Sequence, residues 1–375
     1  MERVRRLLEE WFEIFPESGD ELNKKDLAKR FRNEKDDRSV LAAFFEMYCH
    51  ALLFHQGFRC AVREHTRTPN YEFLVSPEGG QEFCLECTTV SGMSDKEYKA
   101  RKVIDLIYDD LDEKLESPDY FLFVKVEKEG KEAPSISRMI PTLNSWLSEL
   151  DYDEATYQHD QDERWFISPP SKFVKDMKDS KGWHLDFIVI PKGDARGKSG
   201  VRPVGIEFTG ATWVKFGVAL RNRLEEKASK YGELSVPYVI AVDGLDLLAD
   251  DYDVQQVLTG TEGIHEYGPS GNIELTEVRL NNFFFGPTGP RNRRVSAILS
   301  VVYLTPNQVA SKVPVLWINT WADYQIDPSL WSVPKMVLSP TNEKKEPMHI
   351  EAVVGKQPWE TLGLEKTWPF SVQKL

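Results

Sequence analysis

A chain of 375 residues exceeds one typical domain, and its 41% hydrophobic and 11% aromatic content excludes a disordered polymer. The formal net charge of −13 argues against broad electrostatic wrapping of nucleic acid, which needs Lys and Arg against phosphates, but leaves room for a local basic groove. No apolar run approaches the roughly 20 residues of a membrane helix, and the cysteines, Cys49, Cys60, Cys84 and Cys87, all fall in the first quarter, which fits a reduced compartment. The expectation is a cytoplasmic protein with no membrane association.

Residues 1–38 read as a charged helical segment; the opening MERVRRLLEEWFEIF has the spacing of an amphipathic helix and not the pattern of a signal peptide. Residues 39–56, SVLAAFFEMYCHALLFHQ, predict a helix capped by Ser39, with Leu41, Phe44, Phe45, Tyr48, Leu52 and Leu53 at helical spacing and Gly57 as its stop. Three short strands are expected at 58–64, 71–76 and 82–90, the last two joined by Pro77-Glu78-Gly79-Gly80. Helical spacing returns over 96–115 through Val103, Ile104, Ile107, Leu111 and Leu115, and YFLFVKV at 120–126 reads as a strand.

Residues 128–182 predict a helix near 140–150 and an acidic linker or surface insertion at 151–163. A second α/β block at 183–243 follows: strands at 185–190 and 204–209, a helix at 214–231 and a strand at 236–242. It either repeats the first block or joins one enlarged sheet with it. Residues 244–375, rich in Pro, Trp and Asn, predict loops and scattered strands such as 294–303 and 313–318 packed on the core. The fold class expected is α/β.

Chemistry is expected at three glutamates. Glu86 lies in FCLECTTV, where strand alternation sets Cys84, Glu86 and Thr88 on one face. A carboxylate within a buried strand is costly unless it is paired or bound to a metal. Glu72 heads the apolar stretch YEFLV, and a tight turn between these strands suits an antiparallel pair that brings the two acids together. Glu46, in the preceding apolar helix, offers a third carboxylate, and three such groups suit Mg²⁺ or Mn²⁺, hard ions that take oxygen ligands.

A helical acid, a strand acid, a second acid on the next strand, then a helix and a strand: in this order residues 39–127 resemble the core of the PD-(D/E)XK, or restriction-endonuclease-like, nucleases. Glu72 and Glu86 stand where that family has its acid pair, and Glu46 where many members have a helical Glu. The resemblance implies a core of helix, three-stranded meander, helix and strand, a metal held by Glu46, Glu72 and Glu86, and hydrolysis of a phosphodiester, with DNA as partner. Two positions depart from the family. Asn70-Tyr71-Glu72 replaces the Pro-Asp that precedes strand two, with Pro69 close by, and Thr88 stands where the family has its lysine. Threonine carries no charge, so the lysine's role falls to another residue, with Lys99, Lys102, Lys227 and Lys230 as candidates, or the chain is inactive. The alternative to an enzyme is a nuclease-fold subunit that binds nucleic acid or a protein partner, and either form is compatible with a homo-oligomer.

Other signals carry less. Cys84 and Cys87 form a CxxC, but residues three apart on a strand face opposite ways, and no second pair completes a zinc site. Cys49, His50 and His55 read as ordinary helix residues. GDARGKSG at 193–200 is one residue short of a phosphate loop and is followed by a strand pattern where such a loop needs a helix. PTGPRNRR at 287–294 is a basic turn that could touch phosphates. Serine-hydrolase and zinc-protease motifs are absent.

Overall fold

The computed structural model describes residues 2–17, 22–33, 37–62, 71–94, 97–98, 107, 110–111, 113–130, 132, 134–161, 165, 169–198, 213–232, 234–246, 249–260, 282–286, 288–341 and 348–370. The chain folds as two units: Met1–Gly92 together with Ala211–Leu375, and Met93–Gly210. In sequence, the second unit is an insertion into the first.

The first unit is built on an eight-stranded sheet. Helices α1 (Glu2–Ile14), α2 (Leu22–Phe31) and α3 (Asp37–His55) precede β1 (Arg59–Val62), β2 (Phe73–Ser76) and β3 (Phe83–Val90). Helix α3 begins two residues before Ser39, so Ser39 lies inside it and does not cap it. Its end is as expected: Gly57 takes φ 85°, a left-handed conformation that suits glycine. Strands β1, β2 and β3 form an antiparallel meander in which Phe73 pairs with Leu85.

The second unit contains β4 (Tyr120–Lys128), α4 (Ile136–Glu149), α5 (Tyr152–Gln161), β5 (Val174–Lys178) and β6 (His184–Pro191). Its sheet runs β4-β6-β5, all antiparallel, over a core that includes Ile107, Leu111, Leu122, Val124, Leu143, Trp165 and Phe187. Two expectations are corrected here. The strand expected to complete the first block, YFLFVKV, pairs with LDFIVIP and not with β3. Both segments alternate with the same period, so either partner satisfies their local pattern. The acidic stretch at 151–163, expected as a linker or surface insertion, contains the helix α5; Asp151 Oδ1 accepts from the Glu154 amide 2.9 Å away and supplies the start signal. The expected strand at 204–209 lies outside the described residues.

After the insertion, α6 (Trp213–Lys230) leads to β7 (Tyr238–Gly244), which pairs in parallel with β3, setting Glu86 beside Ile240 and Thr88 beside Val242. The elements that follow are α7 (Asp251–Thr259), the short hairpin β8 (Phe285–Gly286) and β9 (Gly289–Pro290), then β10 (Ala297–Val302), β11 (Val315–Asn319), β12 (Lys335–Pro340), β13 (Met348–Val353) and α8 (Pro358–Thr361). The sheet order is β1-β2-β3-β7-β10-β11-β12-β13. The C-terminal third therefore does not merely pack on a core: four of its strands are half of the sheet.

The central strands β7, β10 and β11 are buried along their whole length, the pattern of strands covered on both faces. One face packs Trp11, Phe44, Tyr48 and Leu52 of α1 and α3 against Phe73, Phe83, Leu85 and Ala241. The other packs Phe216, Leu220, Leu224 and Val254 of α6 and α7 against Cys84, Ile240, Val242 and Ile298. No helix among the described residues is long and apolar enough to cross a membrane.

Candidate active site

Pairing of Phe73 with Leu85 places Glu72, one residue before β2, next to Glu86 of β3. The two carboxyl groups share a hydrogen bond, and the Cys87 amide donates to Glu72 Oε2 at 3.1 Å. Glu86 has no exposed surface. It faces α6, with Cys84 of the same strand face in the cluster that holds Leu220 and Leu224, while Cys87 belongs to the opposite cluster. The thiols of Cys84 and Cys87 thus diverge, as alternation requires, and none of the four cysteines is in a disulfide.

The last turn of α6 supplies what Thr88 lacks. Residues three and four apart share a helix face, and the sequence KASKY sets Lys227, Lys230 and Tyr231 in that relation. Lys227 Nζ lies 2.5 Å and Lys230 Nζ 2.6 Å from Glu86 Oε1, while the Tyr231 hydroxyl donates to Glu86 Oε2. Two cations in the last turn of a helix also complement its dipole. Their side chains are 13% and 38% exposed, so Lys230 is the one in reach of solvent. Of the candidate lysines, these two meet the acid; Lys99 and Lys102 lie outside the described residues. Thr88 is nearly buried beside Val242.

Glu46 is near but differently engaged. Arg30 of α2 grips both its oxygens, Nη1 to Oε1 at 2.6 Å and Nη2 to Oε2. The negative charge of Glu46 still acts on Glu72. As a set, however, oxygens of Glu46, Glu72 and Glu86 do not come within 4.8 Å of one another; among the described residues that criterion is met by Asp176, His184 and Asp186 of the second unit. The expected three-carboxylate centre is thus a carboxylate pair with an arginine-bound third acid beside it.

Burial, the charge of Glu86 with the hydrogen bond to it, and the charge of Glu46 push the Glu72 carboxyl well above the usual range; Lys227 opposes this only in part. Burial would raise Glu86 as well, but the hydrogen bond from Glu72 and the contacts with Lys227 and Lys230 outweigh it and hold Glu86 below the usual range. The two acids are thus pushed in opposite directions, Glu72 up and Glu86 down. Burial and the bond to Glu86 push the Tyr231 phenol up, so it remains a donor. Cys87 is pushed up by burial and by Cys49 beside it, which keeps it a thiol and a poor nucleophile.

Glu72 and Glu86 offer oxygen atoms, the ligand type that Mg²⁺ or Mn²⁺ takes; in this arrangement Lys227, Lys230 and Tyr231 meet those of Glu86 and Arg30 those of Glu46. Arg30 and Tyr231 were not singled out in the sequence. Tyr231 could have been found from its place four residues after Lys227, but Arg30, in a charged helix with no distinguishing spacing, gives no such signal.

Comparison with protein-family models, with curated proteins and with solved structures found no match.

The basic loops fall in two places. In the second unit, Lys192 donates to the Ser117 carbonyl at 2.6 Å and Arg196 to Asp119 at 2.7 Å, so that loop is tied to its own unit. In the first, Arg294 Nη1 donates to the Tyr231 carbonyl at 3.1 Å and Arg291 lies 3.5 Å from Glu225, which fastens the 291–294 turn to the end of α6.

Proposed function

We propose that the chain is a metal-dependent phosphodiester hydrolase acting on DNA, with Glu72, Glu86 and Lys227 at its centre. The observation that carries this reading is the meeting of Glu72, just before β2, with Glu86 of β3, and of the Lys227 ammonium with Glu86. On this reading the PD-(D/E)XK order of helix, three-stranded meander, helix and strand is assigned to α3, β1, β2, β3, α6 and β7, with the second unit inserted before α6. In that assignment the family's lysine has moved from the strand, where Thr88 stands, to the following helix as Lys227.

Mg²⁺ or Mn²⁺ bound by Glu72 and Glu86 would supply an activated water and offset charge on a phosphoryl group. The chain's own residues do the rest. Lys227 provides positive charge beside the carboxylates, where negative charge grows on a phosphoryl oxygen. Tyr231 holds Glu86 in one orientation through Oε2. Lys230 and the 291–294 turn add basic groups around the end of α6.

One observation favours a second reading. Arg30 already pairs with Glu46, and Lys227 and Lys230 with Glu86, so these acids have cations of the chain's own, which suits a non-catalytic subunit that binds nucleic acid or a protein partner. The two readings separate in one experiment: relaxation of supercoiled plasmid and cleavage of single-stranded DNA with Mg²⁺ or Mn²⁺, wild type beside Glu86→Gln. The hydrolase reading expects metal-dependent cleavage reduced at least about 100-fold in Glu86→Gln. DNA binding by a folded wild type without cleavage in either metal selects the subunit reading.

A further inference from the structure

The second unit carries a cluster of donor atoms of its own. In its sheet Asp176 of β5 stands directly opposite Asp186 of β6. Alternation sets His184, two residues before Asp186, on the same face, while Leu185 and Phe187 turn into the core. His184 Nε2 meets Asp176 Oδ2 and lies 3.8 Å from Asp186 Oδ1. One donor atom from each of the three residues falls within 4.8 Å of the others. Two ligands of a tetrahedral ion bound at about 2.0–2.2 Å stand about 3.4 Å apart, so small side-chain adjustments let this spacing close on one ion.

The cluster differs from an ordinary charged surface. Carboxylates directly opposite each other on a sheet repel, and Glu127 of β4 adds a third negative charge beside Asp186. Nearby cations include Lys125, held by Glu127, and the exposed Lys128 and Lys178 opposite His184 in the register. Asp186 Oδ1, the oxygen 3.8 Å from the imidazole, is itself buried, and no hydrogen bond among the described residues reaches it. A buried acceptor left without a donor is costly, and a cation between it and the imidazole satisfies it. The backbone that presents these groups is fixed. In the β5–β6 turn Asp179 Oδ1 accepts from the amides of Lys181 and Trp183, each at 2.9 Å, and its Oδ2 from the Ser135 amide at 3.2 Å. Asp176, 59% exposed, leaves the cluster open to an ion arriving from solvent.

The geometry points to a Zn²⁺ site formed by His184 Nε2 and one carboxylate oxygen each of Asp176 and Asp186, with a fourth position open to water. An imidazole among carboxylates suits this borderline-soft ion, whereas Mg²⁺ takes oxygen ligands. The proton between His184 and Asp176 gives way to the ion, because a ligating imidazole nitrogen must be free of its proton. The bound ion ties β5 to β6. The site lies in the inserted unit and does not rest on the hydrolase reading, whose carboxylates belong to the other unit.

Isothermal titration of the full chain with Zn²⁺ tests this, with wild type, His184→Gln, Asp176→Asn and Glu86→Gln compared. Circular dichroism melting establishes that each is folded. Asp176→Asn changes a mostly exposed side chain and decides the matter alone if His184→Gln does not fold. One Zn²⁺ equivalent is expected in wild type that persists in Glu86→Gln. In His184→Gln and Asp176→Asn that equivalent is expected to vanish, or to weaken by more than the roughly 10- to 100-fold that loss of an outer partner costs a metal site. The inference is overturned if wild type binds no Zn²⁺, or if either folded variant keeps every wild-type equivalent at wild-type affinity. Loss of all Zn²⁺ binding in Glu86→Gln also overturns it, since the ion then belongs to the carboxylate pair of the first unit.

Discussion

Glu86 is held by groups that arrive from α6, more than 100 residues later in the chain, as the 141-residue separation from Lys227 shows. Removing the carboxylate leaves Lys227 and Tyr231 without it in a buried place. Glu86→Ala is therefore expected to destabilise the fold by about 3–5 kcal/mol, the cost of breaking a buried pair on one side, whereas Glu86→Gln keeps an acceptor and loses less. Equilibrium urea unfolding of both variants checks the order. His50 gives a second prediction, on pH. It is almost fully buried in α3, and burial first, then Lys24 and His55, lower its ring to about 4 from an ordinary 6.5. The folded state keeps the ring neutral while the unfolded chain ionises it below 6.5. The stability linked to His50 is thus complete above pH 6.5 and is lost as pH falls toward 4. His50→Phe, which suits its neighbours Phe15 and Phe73, is expected to flatten this acid limb in urea midpoints measured from pH 7 to pH 4; an unchanged slope contradicts the assignment. At this scale the sequence is informative where a residue conflicts with its surroundings. A lone Glu in FCLECTTV announces a partner, but not which one, and nothing in α2 marks Arg30 as the residue that claims Glu46.

Among elements, α6 does most to form the site, since its final turn and the residue that follows it present Lys227, Lys230 and Tyr231 to one carboxylate. That turn is braced by Arg294 on the Tyr231 carbonyl. Arg294→Ala is expected to cost about 1 kcal/mol and to raise amide exchange over the last turn of α6, read by hydrogen–deuterium exchange. Helix α6 also lies close to the sheet: a Cβ at Gly244, the end of β7, would stand 2.6 Å from Phe216 Cζ. Gly244→Ala is accordingly expected to destabilise by about 1–3 kcal/mol through overpacking, measured in the same unfolding assay. The elements themselves were largely legible, because α3, α6, β3 and β7 carry clear periodicity. Their partners were not. YFLFVKV and PYVIAV are both short apolar runs after a helix, and local pattern alone cannot decide which of them lies beside β3.

Among the described residues there are three buried clusters, two flanking the large sheet and one confined to the inserted unit. Leu85 and Leu122, both without exposed surface, belong to different units. Leu→Ala at either is expected to cost about 2–5 kcal/mol, and exchange measured by mass spectrometry should rise chiefly in the unit that carries the change. Uniform acceleration across both units contradicts separate cores. On the proposed reading the nuclease-like order spans the insertion, because β4, the next strand after β3 in sequence, belongs to the inserted unit. The resemblance is then carried by residues before and after the insertion, across a gap that no local signal marks.

The central claim is that Glu72, Glu86 and Lys227 act together on a phosphodiester. Single-turnover cleavage of supercoiled plasmid in Mn²⁺ tests it most directly, with wild type compared with Glu72→Gln, Glu86→Gln and Lys227→Met, each shown to be folded by its thermal melt. The expected result is cleavage by wild type and loss of at least about 100-fold in all three variants. Cleavage retained by any of the three, or a folded wild type inert in both Mn²⁺ and Mg²⁺, contradicts the claim.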